Sequence, residues 1–428
     1  MTASLDHAPA VNPSAVPYFD EQRYEALAAE FRPVFDRIRA GAVQRERDRE
    51  LPFEQIGWLK AAGFGAVRLP VSAGGRGATI PELTRLLIEL STADSNITQA
   101  LRGHFAFAED RLVAAPGPGR DRWWQRFAAG DLAGNAWTEI GDVVLGEANT
   151  KVAPSGDPGT FVVNGQKFYS TGSIFADWID LYAQRTDTGE FVIAAVDAHA
   201  DGVTHADDWD GFGQRTTGSG TSTYRDVRVP AENLIPFATR FRYQTAFYQL
   251  FHLATLAGIA HAATAELAQR VRGRTRTFSH GNAPRYAADP QIQQVVGEVT
   301  AAAFAAEAIA LRAAEDVERA HRAALARNAG AGDPVRDKEA NVAAELATAR
   351  GQVVATDLVT RATSKLFDAL GASGVRDEFA LDRFWRNART VSSHNPTVFK
   401  AKVIGDHEIN GTEPVYVWAI GTAPLPRP

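Results

Sequence analysis

Residues 378–402, EFALDRFWRNARTVSSHNPTVFKAK, pass from a charged helix into a turn that carries a histidine. Arg383, Arg386 and Arg389 recur at every third position, which predicts one face of a helix. The chain then leaves the helix through SSHNPT. The residue before Pro396 is pushed toward extended geometry, so His394 and Asn395 are expected on a turn. An imidazole fixed at a helix exit suits proton transfer near neutral pH, whereas the plainer reading is a surface histidine in a polar turn.

Composition sets the frame for that histidine. The chain has 428 residues, enough for two or three domains and a large core. Hydrophobic residues make up 45% and charged residues 22%, as in ordinary globular proteins. A net charge of −6 gives no general attraction to nucleic acid or anionic lipid. The absence of cysteine excludes disulfides, thiolate catalysis and cysteine-ligated metals, and fits a cytoplasmic location. No apolar run reaches membrane-span length, and the first residues lack a secretory layout.

Working outward, residues 1–17 read as a flexible tail rich in Ala, Pro and Ser. Residues 18–133 read as helical, with Pro33 either kinking a helix or sitting near a start, and Gly63 closing a short one. Residues 134–237 alternate as strands do. TFVVNGQKF suggests a hairpin about Asn164-Gly165, IDLYAQR and EFVIAAV suggest a second about TDTG, and TSTYRDVRVP is a strand stopped by Pro230. Residues 238–428 are helical again. Asp289 and Pro290 start a helix on the order of 50 Å long at ~1.5 Å per residue. NAGAGDP separates it from the next long helix. Three long helices with short connections predict an antiparallel bundle, and helices this long expose apolar faces suited to another subunit.

No Gly-x-Gly-x-x-Gly opens a helix and no phosphate loop occurs, so a bound nicotinamide is not expected. His205, Asp207, Asp208 and Asp210 form a solvated loop rather than a metal site. His252 and His261 read as packing or pocket-lining residues. Asn135, Trp137 and Thr138, with Phe168 and Ser170, offer flat surfaces and hydroxyls on extended backbone. That set suits either a flat heteroaromatic cofactor or an ordinary β core.

From about 20 to 415 the chain resembles the acyl-CoA dehydrogenase superfamily of flavoproteins. The matching segments are WTEIGD (137–142), NGQKFYSTGSIFADW (164–178), TSTYRDVRVPAENLI (221–235) and LFDALGASGVRDEFALDRFWRNART (366–390). The resemblance implies an α+β fold: an N-terminal helical domain, a central β-barrel and a C-terminal four-helix bundle, usually as a homotetramer. The common dehydrogenases place a glutamate base in the C-terminal turn or on the first bundle helix. Here those positions hold Asn395 and a residue near Tyr248. SSHNPTVFK instead resembles the flavin-dependent monooxygenase branch, which includes the dibenzothiophene and dimethylsulfone-type two-component enzymes. The function so implied is insertion of one atom of O2 into sulfur, nitrogen or aromatic carbon of a small substrate, through a C4a-(hydro)peroxyflavin. Reduced FMN, or FAD, would come from a separate NAD(P)H:flavin reductase. Acyl-CoA dehydrogenase-type oxidation is the alternative.

The resemblance also distributes roles. Ser170 falls beside flavin N5, and Asn135, Trp137 and Thr138 fall on the strand at the flavin edge. Arg276, or nearby Arg274, falls where a basic residue grips flavin phosphate in a partner subunit. His394, Asn395 and His104 fall at the reactive side. Trp209 and Phe247 are either aromatic walls of the pocket or core. The sulfur oxidisers carry a second histidine three residues before the first, where this chain has Val391.

Overall fold

The structure, a computed structural model, describes residues 18–417. The tail expected at 1–17 lies outside the described residues. Seven helices come first: α1 (Glu21–Ala40), α2 (Ala42–Asp48), α3 (Phe53–Ala61), α4 (Ile80–Ala93), α5 (Ser95–Ala100), α6 (Arg102–Leu112) and α7 (Pro118–Ala128). α1 runs through Pro33 without a break in its helical span. α4 starts on a reciprocal cap in which Thr79 and Glu82 satisfy each other's backbone N–H groups. Asp94 closes α4 and its side chain accepts from Asn96 N–H at the start of α5.

Eight strands follow: β1 (Ala133–Ala136), β2 (Lys151–Pro154), β3 (Thr160–Lys167), β4 (Trp178–Arg185), β5 (Phe191–Asp197), β6 (Val203–His205), β7 (Ser222–Pro230) and β8 (Leu234–Pro236). They form one curled sheet in the order β6-β7-β3-β2-β4-β5-β8. β1 lies parallel to the first half of β4, and β2 meets the last residues of the same strand. Among the described residues no ladder joins β6 to β8.

The turn at TDTG does join two antiparallel strands, β4 and β5. The hairpin expected at Asn164-Gly165 does not form. β3 runs straight through that pair, with an irregular step between Val163 and Gly165 in its ladder with β7. Asn164 instead clasps Asp226 across the sheet, giving a 3.0 Å bond from Nδ2 and accepting a 2.9 Å bond from the Asp226 N–H. Asp226 holds φ at 51°, a conformation asparagine and aspartate tolerate better than most residues. A long-range partner thus overrides the local turn signal, and the chain reverses at residues 155–159 instead.

The last part is a bundle of α8 (Gln244–Gly273), α9 (Pro290–Asn328) and α10 (Pro334–Leu370), completed by α11 (Asp382–Ser392) and α12 (Thr397–Asn410). Asp289 caps α9 by accepting from Gln291 N–H. α8 is the hub. It packs on α4, α9 and α10, and Ser91 of α4 donates to the Thr255 carbonyl at 2.8 Å. α8 and α9 are long and apolar enough to cross a membrane by length and composition, contrary to the sequence expectation. α8 is mostly buried inside the protein, whereas α9 leaves most of its apolar stretch exposed.

Candidate active site

The site lies where α5 and α6, β1, α8 and the turn after α11 meet. α11 is fixed by its arginines. Arg383 bonds Glu266 of α8 at 2.6 Å and Arg386 bonds Glu46 of α2 at 2.8 Å. Asn387 Oδ1 also accepts from the Gln214 N–H at 2.6 Å. Of the three arginines at this spacing, Arg383 thus ties α11 to the bundle and Arg386 ties it to the N-terminal helices. The helix ends at Ser392, and the His394 N–H bonds the Val391 carbonyl at 3.2 Å. This turn lays the His394 ring against His252 of α8, with ring centroids 4.4 Å apart.

The two imidazoles differ in surroundings. His252 is buried; Gln99 Nε2 donates to its Nε2 at 3.3 Å, which leaves the Nδ1–H to donate to Gln249 Oε1 at 3.4 Å. His394 is exposed by area although protein atoms crowd around its ring. Desolvation, and then the charge of Arg102, push His394 down to about 3. Desolvation, with His394, Arg102 and Lys400, holds His252 well below its ordinary value. Both rings are held neutral, so neither repels the other; the His252 nitrogens are both engaged, and His394 is the ring left free to exchange a proton.

A chain of polar contacts runs from there into the sheet. Arg102 begins α6. Its Nη2 reaches Asn135 Oδ1 at 3.5 Å and its guanidinium lies 4.8 Å from the centre of the Tyr248 ring. The Tyr248 hydroxyl accepts from Arg240 at 3.4 Å, and Arg240 bonds Asp180 at 2.6 Å. Asn135 and Asp180 are register partners on β1 and β4. Gly103 allows this convergence, because a Cβ there would stand 2.9 Å from Asn135 atoms. No room remains for any larger residue between α6 and β1.

Ser170 sits at the other side. The buried Lys167 Nζ bonds Glu139 at 2.6 Å and the Trp137 carbonyl at 3.2 Å. With the Thr138–Phe168 bridge, this ties WTEIGD to KFYSTG. Tyr169 takes φ 57°, and Ser170 follows with its N–H on the Gly220 carbonyl at 3.0 Å. The Ser170 Oγ is buried and has no hydrogen-bond partner among the described residues. An orphaned hydroxyl there is free to meet a bound polar group. Trp137 packs against Tyr182, Phe237 and Tyr248.

Three expected site residues have other tasks. His104 is fully buried, its Nε2–H donating to the Gly65 carbonyl at 2.9 Å and its Nδ1 accepting from the Ala133 N–H at 3.2 Å. With both nitrogens spent on backbone, it pins α6 to β1 and has no atom left for a substrate. Phe247 belongs to the core, between Phe241 and Phe251. Trp209 donates its indole N–H to the carbonyls of Gly213 and Gln214 at 3.3 and 3.1 Å, and its ring meets Tyr169 edge-on. Of the two arginines, Arg274 is spent on the Leu370 carbonyl and the Tyr286 ring, while Arg276 is exposed. Asn395 is half-buried in the turn. His261 pairs with Glu307 of α9 at 2.8 Å. Asp207 pairs with Arg49, and Asp208 accepts from Thr221.

Nothing in the sequence marked the buried Arg102, and His252 was left undecided. The second imidazole sought beside His394 at Val391 comes from α8 instead; Val391 itself is buried. Two buried carboxylates stand near this seam. Asp180 accepts from Arg240 through Oδ2 while its Oδ1 has no partner among the described residues, and Glu345 accepts from the Ala246 N–H at 2.9 Å, its carboxyl raised by burial against the opposing charge of Lys400.

Residues 250–399 match the family model for the acyl-CoA dehydrogenase C-terminal domain. Dibenzothiophene monooxygenase of Rhodococcus erythropolis is 26% identical over 409 residues, covering 90% of this chain and 93% of the relative. A probable FMNH2-dependent monooxygenase of Pseudomonas putida, SfnC, is 26% identical over 382 residues, covering 87% and 92%. The FMN-bound crystal structure of TdsC from Paenibacillus sp. A11-2 superposes with a TM-score of 0.81 at 27% identity, covering 92% of this chain and 98% of that one. The chain therefore has the acyl-CoA dehydrogenase fold and is similar along most of its length to flavin-dependent monooxygenases built on it.

Proposed function

We propose that the chain is the oxygenase component of a two-component flavin-dependent monooxygenase. It adds one oxygen atom to sulfur, nitrogen or activated ring carbon of a small organic substrate. Reduced FMN and O2 are consumed; oxidised FMN, water and the oxygenated product result. A separate reductase supplies the reduced flavin, in keeping with the lack of a dinucleotide fingerprint.

The observation that carries this reading is the packing of His252 on His394, at a turn where the positions that resemble the dehydrogenase bases, Asn395 and the AFYQLFH stretch near Tyr248, hold no carboxylate. The residues fit a flavin. The orphaned Ser170 Oγ can donate to the ring nitrogen N5, and Asn135, Trp137 and Thr138 lie on the adjacent extended segment. Exposed Arg276 is suited to the phosphate of flavin bound in a neighbouring subunit, where a planar guanidinium fork matches the anion.

When bound, reduced flavin supplies the two electrons that O2 activation needs. His394, held neutral, takes or returns the proton that moves with oxygen transfer. His252 packs against that ring and helps orient it. The packed seam of α5, α6 and β1 limits water, which favours transfer to the substrate over release of hydrogen peroxide.

Reconstitution with a flavin reductase, NADH and isotopically labelled O2 tests the reading. Indole, dibenzothiophene and an alkyl sulfide are suitable probes. One labelled oxygen atom in a product, dependent on reduced FMN or FAD, is the expected result. Anaerobic bleaching of bound FAD by an acyl-CoA, with no oxygenated product from any probe, would restore the dehydrogenase alternative.

A further inference from the structure

Five arginines are buried among the described residues, and four have carboxylate partners. Arg45 pairs with Asp94 at 2.9 Å, Arg68 with Glu109 at 2.9 Å, Arg111 with Asp110 at 2.5 Å and Arg240 with Asp180 at 2.6 Å. Arg102 is the exception. It is 5% exposed, no carboxylate lies within ion-pair distance, and its Nε has no acceptor. Its one recorded hydrogen bond is the long contact to Asn135, a neutral amide. Asp180 and the Tyr248 phenol lie close enough to act on it, but Asp180 is already bonded to Arg240. Desolvation lowers its pKa, the mark of a charge whose surroundings do not compensate it.

A guanidinium buried without a counter-charge destabilises the fold. The arrangement makes sense when an anion completes it. Arg102 stands over the ring of Tyr248, one helical turn before His252 on α8, and Gln99, three residues before Arg102, bonds the His252 ring that packs on His394. Resting on the monooxygenase reading for which side of the site reacts, we propose that Arg102 anchors the substrate through an anionic group. The substrate class is therefore a small organic oxyanion, a carboxylate or a sulfinate, gripped by the guanidinium fork with Asn135 and Tyr248 beside it. His394 is held low first by desolvation and only second by the Arg102 charge; an anion on the anchor offsets that second contribution and makes the imidazole a somewhat better base.

Titration calorimetry with benzoate and methanesulfinate, each against a neutral counterpart (benzamide, dimethyl sulfone), provides the test. Flavin binding is followed separately by fluorescence quenching with FMN. Wild type should bind at least one anion and favour it about tenfold or more over its counterpart. Arg102→Met should weaken that anion about 10- to 100-fold while FMN affinity stays within about twofold. Arg102→Lys, which keeps the charge, should fold as wild type and lose about three- to tenfold, deciding the matter if the Met variant does not fold. The His394 titration followed by NMR should move upward when the anion is present. Binding of neither anion at millimolar concentration, equal binding of neutral counterparts, full anion affinity in the variants, or loss of FMN in step with the anion would each overturn the proposal. Failure of FMN to bind wild type would instead remove the flavin reading, and the calorimetry would still decide the anion site.

Discussion

At the scale of single residues, three histidines do different work because their ring nitrogens have different neighbours. His394 retains access to solvent and no side-chain bond is recorded for it, so it is the imidazole free to move a proton. His394→Ala should lower oxygenation by ~100-fold or more, the usual scale for loss of a general acid–base group. FMN binding should hold within about threefold if the ring serves chemistry rather than cofactor affinity. Steady-state turnover with a reductase and a separate FMN titration measure the two, and unchanged turnover would remove His394 from the mechanism. His104 is tested through stability instead. Its pKa falls from 6.5 in the unfolded chain to about 4 in the fold, chiefly through desolvation. The unfolded state therefore binds the extra proton, and the stability this ring contributes is present above pH 6.5 and lost as pH falls toward 4. The advantage of wild type over His104→Asn in urea denaturation should shrink by about 2 kcal/mol between about pH 7 and about pH 5. A constant difference across that range would show that the ring titrates alike in both states.

At the scale of elements, the site depends on how closely α6 meets β1. In Gly103→Ala the new methyl must displace Asn135, and overpacking of this kind costs about 1–3 kcal/mol. Turnover should fall further than stability alone explains, because Asn135 and Arg102 move apart together; denaturant midpoints beside kcat would separate the two effects. An alanine variant as stable and active as wild type would mean that β1 does not fix the pocket. The same elements show what a sequence discloses. α11 was legible from its arginine spacing, and β4 and β5 from their alternation about TDTG, because those signals are local. The Asn164-Gly165 signal misled because Asp226, distant along the chain, supplies the partner that keeps β3 straight. His252 lies in an Ala- and Leu-rich helix with nothing local to mark it, and only packing brings it to His394. Arg102 was invisible for a deeper reason: an absent counter-ion is defined only once every neighbour is known.

At the scale of the whole molecule, the bundle carries more apolar surface than one chain covers. Phe304 on α9 is 73% exposed, and Val354 on α10 and Val398, Phe399 and Ile409 on α12 are also exposed. Apolar faces of this extent on long helices are suited to burial against copies of the same chain, most often in closed symmetric assemblies. The homotetramer that the resemblance implies would have a consequence for catalysis, because Arg276 is proposed to hold flavin bound by a neighbour. Phe304→Asp should therefore lower the mass seen by light scattering without loss of helical circular dichroism, since the side chain supports no core of its own protomer. FMN affinity should fall with it, by about tenfold if one charge-assisted bond to phosphate is lost. Arg276→Ala should weaken FMN by a similar factor while leaving the mass unchanged. The two variants together separate assembly from anion binding. If Phe304→Asp keeps the wild-type mass, α9 is not the interface; if it dissociates but binds FMN normally, each protomer's flavin site is complete in itself.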